Sequence, residues 1–301
     1  MTENQVDRYR RALLAAYAAA VRAVEGERVT ENWLSQHPGE GPVAMIALGK
    51  AAGAMALGAQ KALGERLLRG LVISKPGHAD SEALDMQRIR ICEGAHPLPD
   101  GTSLAAGQAL IEFIEGLPAD LPVLVLISGG ASALVEVLRP GVTLEDLARA
   151  NDWLLANGLP IAGINAVRRR LSRLKGGGLA SMLGERAVTG LLISDVEGDD
   201  PAVIGSGPLT VPASTQLPEG LPDWLKRMLP AGQDAPVASA AQVVLVATLD
   251  DALAAAEAEL VSQGLEVHRH TPHLDGDLLA VVEQVSQALK TDRGPVHLWG
   301  G

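Results

Sequence analysis

Short apolar runs alternate with segments of helical periodicity along most of the chain. The runs end at Gly, Pro or charged residues, as buried strands do. They cover residues 43–49, 70–75, 88–94, 122–130, 187–195, 241–248, 264–270 and 295–301. Helical periodicity lies between most of them, for example over 251–263 and 277–290. This alternation predicts an α/β fold in which helices cover both faces of a parallel, Rossmann-like sheet.

A proline-rich stretch interrupts this pattern after residue 209. It contains Pro212, Pro218, Pro222, Pro230 and Pro236. We therefore predict a large α/β domain over 1–210, a Pro-rich linker over 211–236 and a smaller C-terminal α/β domain over 237–301. The last predicted strand stops on two glycines, where a parallel unit normally continues, so we expect this second domain to be incomplete.

The composition narrows the class of protein. A chain of 301 residues with 47% hydrophobic content can bury a large core. Its net charge of −11 argues against a nucleic-acid-binding surface, and 2% aromatic residues leave few stacking platforms. The single cysteine, Cys92, suits a reducing cytoplasm. No apolar stretch reaches roughly 18 residues, and acidic residues flank the basic start of the chain. We therefore expect an amphipathic first helix, and neither a membrane span nor a signal peptide.

Lys50 directly follows the first predicted strand. Ligands of open parallel sheets bind beyond the carboxyl ends of strands, so residues at this position are candidates for binding. An anion there would meet both the ammonium and the N–H groups of the next helix. A solvent-exposed lysine is the alternative, but the helix dipole disfavours a cation at this end, which favours a functional role. No GxxxxGK[ST] pattern surrounds Lys50, so it does not belong to a P-loop.

A second candidate is the SGGAS segment after the fourth predicted strand. Its two glycines let a ligand approach the main chain, and the following helix start presents N–H groups. A carboxylate or a phosphate is the natural ligand. The binding candidates are Ser128, Gly129, Gly130 and Ser132. The alternative is a tight turn in which a serine caps the helix.

Acidic residues follow the fifth predicted strand. Asp195 ends the strand, and Asp199 and Asp200 come shortly after it. Carboxylates that lie close together repel each other unless a cation or a proton offsets the charge. We expect Asp195 to bind Mg²⁺ or to act as a general base, with Asp199 as a second magnesium ligand. An ordinary acidic surface loop is the alternative.

Basic residues and histidines supply the remaining candidates. The pattern predicts a helix over 165–175 that ends at three glycines, with its arginines on a solvated face. Lys175 and Gly176, at this helix stop, are candidates for binding the substrate or a phosphate. His78 and His96 follow the second and third predicted strands, and we expect them only to support the site.

Six ordered segments resemble the glycerate kinases that lack a P-loop, the glycerate 2-kinase family whose C-terminal part is called the MOFRL domain. They are LGKAAGAM (48–55), KPGH (75–78), GAHPLPDGTSLAA (94–106), LISGGASAL (126–134), NAVRRRLSRLKGGGLA (165–180) and SDVEGDDPAVIGSGP (194–208). The resemblance implies an ATP- and Mg²⁺-dependent kinase that phosphorylates D-glycerate at its 2-hydroxyl. It assigns Lys50 to the transferred phosphoryl or the glycerate carboxylate, the SGGAS turn to an anion, and Asp195 to magnesium or the hydroxyl proton. The oligomeric state stays open, with a homo-oligomer as one option.

The chain departs from the family pattern at three places. Gly178 stands where arginine is common, and Leu249-Asp250-Asp251 stands where asparagine is expected. The family also continues beyond the Leu-x-Gly-Gly strand with a Gly/Arg-rich segment, whereas this sequence stops at Gly301. Two alternatives follow. One is hydroxypyruvate reductase, a label common in this family, although no G-x-G-x-x-G frame follows a strand. The other is a catalytically silent protein that binds glycerate or nucleotide.

Overall fold

The computed structural model describes residues 3–213, 216–230, 241–271, 273–274, 276–291 and 296–301. The strands of this part of the chain are β1 Val43–Leu48, β2 Leu67–Ser74, β3 Ile89–Glu93, β4 Val123–Ile127, β5 Val188–Ile193, β6 Gln242–Ala247, β7 Val267–Arg269 and β8 Val296–Leu298. Each overlaps one of the eight predicted apolar runs, so these strand predictions are confirmed.

Eleven α-helices accompany the strands in the described residues. They are α1 Glu3–Ala23, α2 Gly26–Gln36, α3 Ala52–Leu63, α4 Gly101–Glu115, α5 Ala131–Leu134, α6 Leu144–Ala156, α7 Ile161–Leu171, α8 Gly178–Leu183, α9 Asp223–Met228, α10 Leu249–Ser262 and α11 Leu278–Thr291. Within these residues no helix is both long enough and apolar enough to cross a bilayer.

The first six strands form one sheet in the order β3-β2-β1-β4-β5-β6, and all its pairs are parallel. The chain moves outward from β1 to β3, and then returns to the other side of β1 to build β4, β5 and β6. The switch in direction therefore lies between β1 and β4, whose last residues Leu48 and Ile127 are register partners. Ligands of such sheets bind at this switch point. The predicted Rossmann-like class is confirmed.

Both faces of the large sheet are covered. Alternating residues of β1 point to opposite faces. Met45 and Ala47 pack with α3, and Ile46 and Leu48 pack with α4 and α8. All four side chains are fully buried, which explains why the strand reads as an unbroken apolar run.

Helices α6 and α7, from the connection between β4 and β5, form a separate apolar cluster with α9, which follows β5. Leu147 of α6, Ile164 of α7 and Leu225 of α9 belong to it. Helix α7 ends at Leu171 because Ser172 has an extended backbone (φ −109°, ψ 146°) and bridges to Leu138. The predicted helical end at residue 175 was therefore wrong.

The expectation of a solvated arginine face on α7 was also wrong. Only Arg173, beyond the helix, is exposed, whereas Arg168, Arg169 and Arg170 are partly buried. The reason is that α7 lies between other helices, so that Arg168 Nε donates a hydrogen bond to Asn151 Oδ1 of α6 at 2.8 Å.

The residues after 241 contact the first part of the chain through β6 and α10. Strand β6 pairs with β5 in the large sheet. Helix α10 packs against α1 in a cluster that contains Ala12, Ala16, Ala256 and Leu260. Strands β7 and β8 form a separate parallel pair. Residues 214–215 and 231–240 of the predicted linker lie outside the described residues, and the division into 1–210, 211–236 and 237–301 stays a prediction.

Candidate active site

The turns after β1 and β4 are joined by hydrogen bonds. The amide of Lys50 donates to the carbonyl of Gly129 at 2.9 Å, and the amide of Ala51 donates to Ser128 Oγ at 3.0 Å. The amide of Ser128 in turn donates to Leu48 O at 2.9 Å. The ladder between the two strands thus continues into their turns, which fixes the start of α3 against the SGGAS segment.

Two glycines make this close approach of the turns sterically allowed. Gly49 has a φ of 122°, and a Cβ there would lie 2.5 Å from Ser128 O. Gly130 has a φ of 83°. Both values fall in the region that L-residues with a side chain rarely adopt.

Lys50 and His96 lie over Gly130. A Cβ built on Gly130 would be 3.1 Å from Lys50 Cε and 3.0 Å from His96 Cδ2. Lys50 is exposed and His96 is half-buried. The absent side chain of Gly130 therefore leaves room for an ammonium and an imidazole next to the turn.

Asp195 lies over the neighbouring glycine. A Cβ on Gly129 would overlap the carboxylate of Asp195, with its Cγ at 2.8 Å. Asp195 comes two residues after β5 and is exposed. Strands β1, β4 and β5 thus bring Lys50, Gly129, Gly130 and Asp195 together, as adjacent parallel strands do with the residues at their carboxyl ends.

The pKa of His96 reflects the charged groups that lie near it. Burial lowers the pKa of His96 below its ordinary value of 6.5, and the charges of Lys50 and Lys75 lower it further. The carboxylate of Asp195 acts in the opposite direction. We call Lys50, His96 and Asp195, which lie over Gly129 and Gly130, together with Lys75 the strand-end cluster.

Sequence reasoning undervalued two members of this cluster. His96 was expected only to support the site, and Lys75 was not among the candidates. Lys75 directly follows β2, and His96 follows β3 by three residues. The rule that selected Lys50 could have selected both. His78, the other histidine considered, is exposed.

The SGGAS turn presents hydrogen-bond donors. Within the described residues, the amides of Gly129 and Gly130 donate no hydrogen bond to the protein. Ser132 is partly exposed on α5. Ser128 is 2% exposed and accepts from Ala51, so it holds the two turns together rather than facing a ligand. The anion-binding role predicted for this turn therefore concentrates on its two glycines.

Lys175 and Gly176 both form bonds inside the protein. Lys175 is buried, and its ammonium forms an ion pair with the carboxylate of Glu136. The amide of Gly176 donates to Ser206 O at 3.0 Å. These donors are already used inside the protein, and the binding role of both residues stays a prediction.

The acidic loop is more dispersed than its sequence suggests. Asp199 lies in a short 3₁₀ turn with a φ of 52°, partly buried. Among the residues that the structure describes, Asp195, Asp199 and Asp200 do not form a group of three ligands around one point. Joint binding of magnesium by Asp195 and Asp199 stays a prediction.

A cavity of about 410 Å³ adjoins Asp195 at the carboxyl ends of β5 and β6. Its walls include the apolar side chains of Ile193, Leu249 and Leu274. Asp195 and Thr248 supply polar groups. A cleft of this volume with mainly apolar walls and a few polar groups is typical of sites for small organic ligands.

Comparisons with known proteins identify a family that matches this sequence and several named relatives. The profile of the family DUF4147, described as a domain of unknown function, matches residues 12–223. A putative hydroxypyruvate reductase of Agrobacterium vitis is 36% identical over 277 residues, which cover 88% of this chain and 62% of the relative. A D-glycerate 2-kinase of Thermotoga maritima is 38% identical over 173 residues, which cover 58% of this chain and 41% of the relative.

A solved structure extends the agreement to the fold. The crystal structure of glycerate kinase from Thermotoga maritima superimposes with a TM-score of 0.81 at 26% sequence identity, and the match covers 98% of this chain and 74% of that one. The family resemblance inferred from the six segments is thus confirmed. The chain spans about 62% of the length of the first relative.

Proposed function

The chain belongs to the DUF4147 family, and on that premise we propose that it is an ATP-dependent kinase that phosphorylates D-glycerate at its 2-hydroxyl. The observation that supports this most is the convergence of Lys50, His96 and Asp195 on Gly129 and Gly130 at the switch point of the sheet. The relatives named glycerate kinase support the choice of substrate.

Phosphoryl transfer requires positioning of the reactants and positive charge near the migrating group. The proposal assigns Lys50 to the oxygens of the transferred phosphoryl or to the carboxylate of glycerate. The amides of Gly129 and Gly130 would bind the other anion. Lys75 adds a second positive charge from the end of β2, on the side of His96.

Asp195 has the position expected of the residue that handles the 2-hydroxyl proton. Its carboxylate is exposed and lies beside Gly129, within the same field as Lys50. An ionised carboxylate can accept the proton that the hydroxyl loses when its oxygen attacks phosphorus.

The same residue also fits a magnesium ion. Mg²⁺ prefers oxygen ligands and is usually held by one or two carboxylates together with phosphates of the substrate. Asp195, with Asp199 as the second candidate, offers such donors. When bound, the ion would neutralise charge on the phosphates.

The cavity next to Asp195 is the place we propose for the base and ribose of the nucleotide. Its apolar walls suit a purine, and Asp195 lies between this cavity and the turn at Gly129. In this arrangement the triphosphate would extend toward Lys50. Reduced binding of ATP by a Leu249→Trp variant, whose indole would fill the cavity, would support the placement.

The experiment is an assay of ADP release from ATP and D-glycerate, with phosphorus NMR of the product to locate the phosphate. We expect glycerate-dependent ADP release and a 2-phosphate. NADH oxidation with hydroxypyruvate, without use of ATP, would establish the reductase alternative instead. The sequence argues against the reductase alternative, because the turn after β1, which begins at Gly49 and Lys50, lacks the G-x-G-x-x-G frame of dinucleotide sites.

A catalytically silent binding protein is the remaining alternative. It predicts that ATP or glycerate binds in calorimetry while no ADP is released. The matched comparison is the same chain extended to the length of its relatives. Similar turnover by the two chains would remove this alternative, whereas turnover only by the longer chain would support it.

A further inference from the structure

Three histidines share one face of the small β7–β8 sheet. His268 and His297 are register partners on the two strands, and His270 lies two residues after His268. Residues two apart on a strand point to the same side. The opposite face carries Val267, Val296 and Leu298, which pack against the α1–α10 cluster. The three imidazoles therefore lie on the side of this sheet that faces away from its apolar core.

The ring nitrogens of these histidines converge. One nitrogen from each ring lies within 4.8 Å of those from the other two, and His270 Nε2 is 2.7 Å from His297 Nδ1. Three imidazoles bound to one tetrahedral zinc ion, at about 2.0–2.1 Å each, hold their nitrogens roughly 3.3 Å apart. The nitrogens of the three rings are therefore close enough to reach one ion after rotation of the side chains.

The three rings also stack on one another and on Trp299. His268 and His270 stack at 4.4 Å, and His270 stacks on Trp299 at 4.2 Å. The in-plane lone pairs of near-parallel rings do not meet at one point, so binding of an ion would turn His268 and His297 out of this stack. Trp299 limits the rotation of His270 and so preorients one ligand, which lowers the entropic cost of binding an ion.

We propose that His268, His270 and His297 form a binding site for a late first-row divalent metal ion, with Zn²⁺ as the reference ion. Imidazole nitrogen favours zinc, nickel and copper, whereas Mg²⁺ selects carboxylate and phosphate oxygens. The histidine site thus differs in chemistry from the magnesium site proposed at Asp195. It does not depend on the kinase function.

The test is calorimetric titration of the whole chain with Zn²⁺ in the presence of excess Mg²⁺, which keeps carboxylate sites occupied. We expect one zinc ion per chain. His268→Gln changes the most exposed of the three ligands and should weaken binding by at least about tenfold, the lower end of the cost of disturbing a metal site. His273→Gln, only three residues beyond His270, is the matched control and should bind as the wild type does.

A second readout locates the ion. Because Trp299 stacks on His270, zinc should change the tryptophan emission, and Trp299→Phe should remove this change but retain the heat of binding. Circular dichroism would establish that the variants are folded. Wild-type affinity in His268→Gln, an equal loss in His273→Gln, or no zinc binding by the wild type would overturn the proposal.

Discussion

At the scale of single residues, the site depends on side chains that lie above two glycines. Lys50 and His96 occupy the space over Gly130, and Asp195 occupies the space over Gly129. Each of these three side chains follows the end of a different strand, and Lys50 and Asp195 are exposed. Substitutions here should therefore change function much more than stability.

Lys50→Ala and Asp195→Ala should each reduce turnover by at least about 100-fold, because each removes a group placed beside the reacting atoms. The free energy of unfolding should change by less than about 0.5 kcal/mol, as for most exposed positions. Lys226→Ala and Asp152→Ala, both exposed, are the matched controls. A large fall in the melting temperature of the site variants would instead indicate a structural role.

Gly130→Ala tests the space over the turn. The new Cβ would press on Lys50 and His96, and the positive φ would strain the backbone by about 1–2 kcal/mol. Gly41→Ala is the control, since Gly41 has a φ of 73° but no atom within 4 Å of a Cβ. Both variants should lose similar stability in urea unfolding, and only Gly130→Ala should lose turnover. Equal turnover in the two variants would contradict the proposed site.

His96 should make the protein less stable in acid. Burial holds its folded pKa below the ordinary 6.5, so the unfolded chain binds more protons as the pH falls through 6.5 toward the folded value. Stability due to neutral His96 is therefore present above that window and lost below it. Urea unfolding at about pH 7.5 and about pH 5.5 should show a smaller pH dependence for His96→Gln than for the wild type. An equal loss of stability between the two pH values in the wild type and in His96→Gln would contradict this prediction.

At the scale of elements, a buried ion pair joins two segments that lie far apart in the sequence. Lys175 lies between α7 and α8, and Glu136 follows α5. Ser172 Oγ donates to the same carboxylate at 2.5 Å, and the amide of Val137 donates to it at 2.9 Å. This network accounts for the early end of α7.

Lys175→Met should cost about 3–5 kcal/mol, because it leaves the carboxylate of Glu136 buried without its counter-ion. The double variant Lys175→Met/Glu136→Gln should recover much of that loss, since no buried charge remains. Denaturant unfolding measures both. If Lys175→Met kept wild-type stability and lost only affinity for substrate, the predicted binding role of Lys175 would be supported instead.

The elements show what the sequence could and could not predict. Strands that are buried on both faces read as apolar runs, so their positions were visible in the pattern alone. The end of α7 was not, because it depends on Glu136, a residue 36 positions away from Ser172. For the same reason the ion pair of Lys175 could not be predicted, because nothing local in the sequence indicates its buried partner Glu136.

At the scale of the whole molecule, the strand order creates the site. Sequence pattern predicted a parallel sheet and a binding role for Lys50, Gly129 and Asp195, but it could not supply the order β3-β2-β1-β4-β5-β6. That order sets β1 between β2 and β4, which brings Lys75 and Lys50 to the same edge as the SGGAS turn. His96 could be identified as a member of the cluster only from this strand order.

The contact between α1 and α10 connects the first helix of the chain with the residues after β6. Ala12 is 1% exposed and packs in the cluster with Ala256 and Leu260. Ala12→Leu should overpack this contact and cost about 1–3 kcal/mol. Ala105→Leu, at an exposed position of α4, is the control and should be nearly neutral. Thermal unfolding compares the two, and equal melting temperatures would argue against tight packing of α1.

The overlap between a side chain at 129 and the carboxylate of Asp195 also restricts how this protein can evolve. A side chain at 129 would push the carboxylate of Asp195 aside, because the atoms it meets are the end of that side chain. The two positions are therefore coupled, since a residue larger than glycine at 129 moves the acid from its place over the turn. Natural replacement of Gly129 should then coincide with replacement of Asp195.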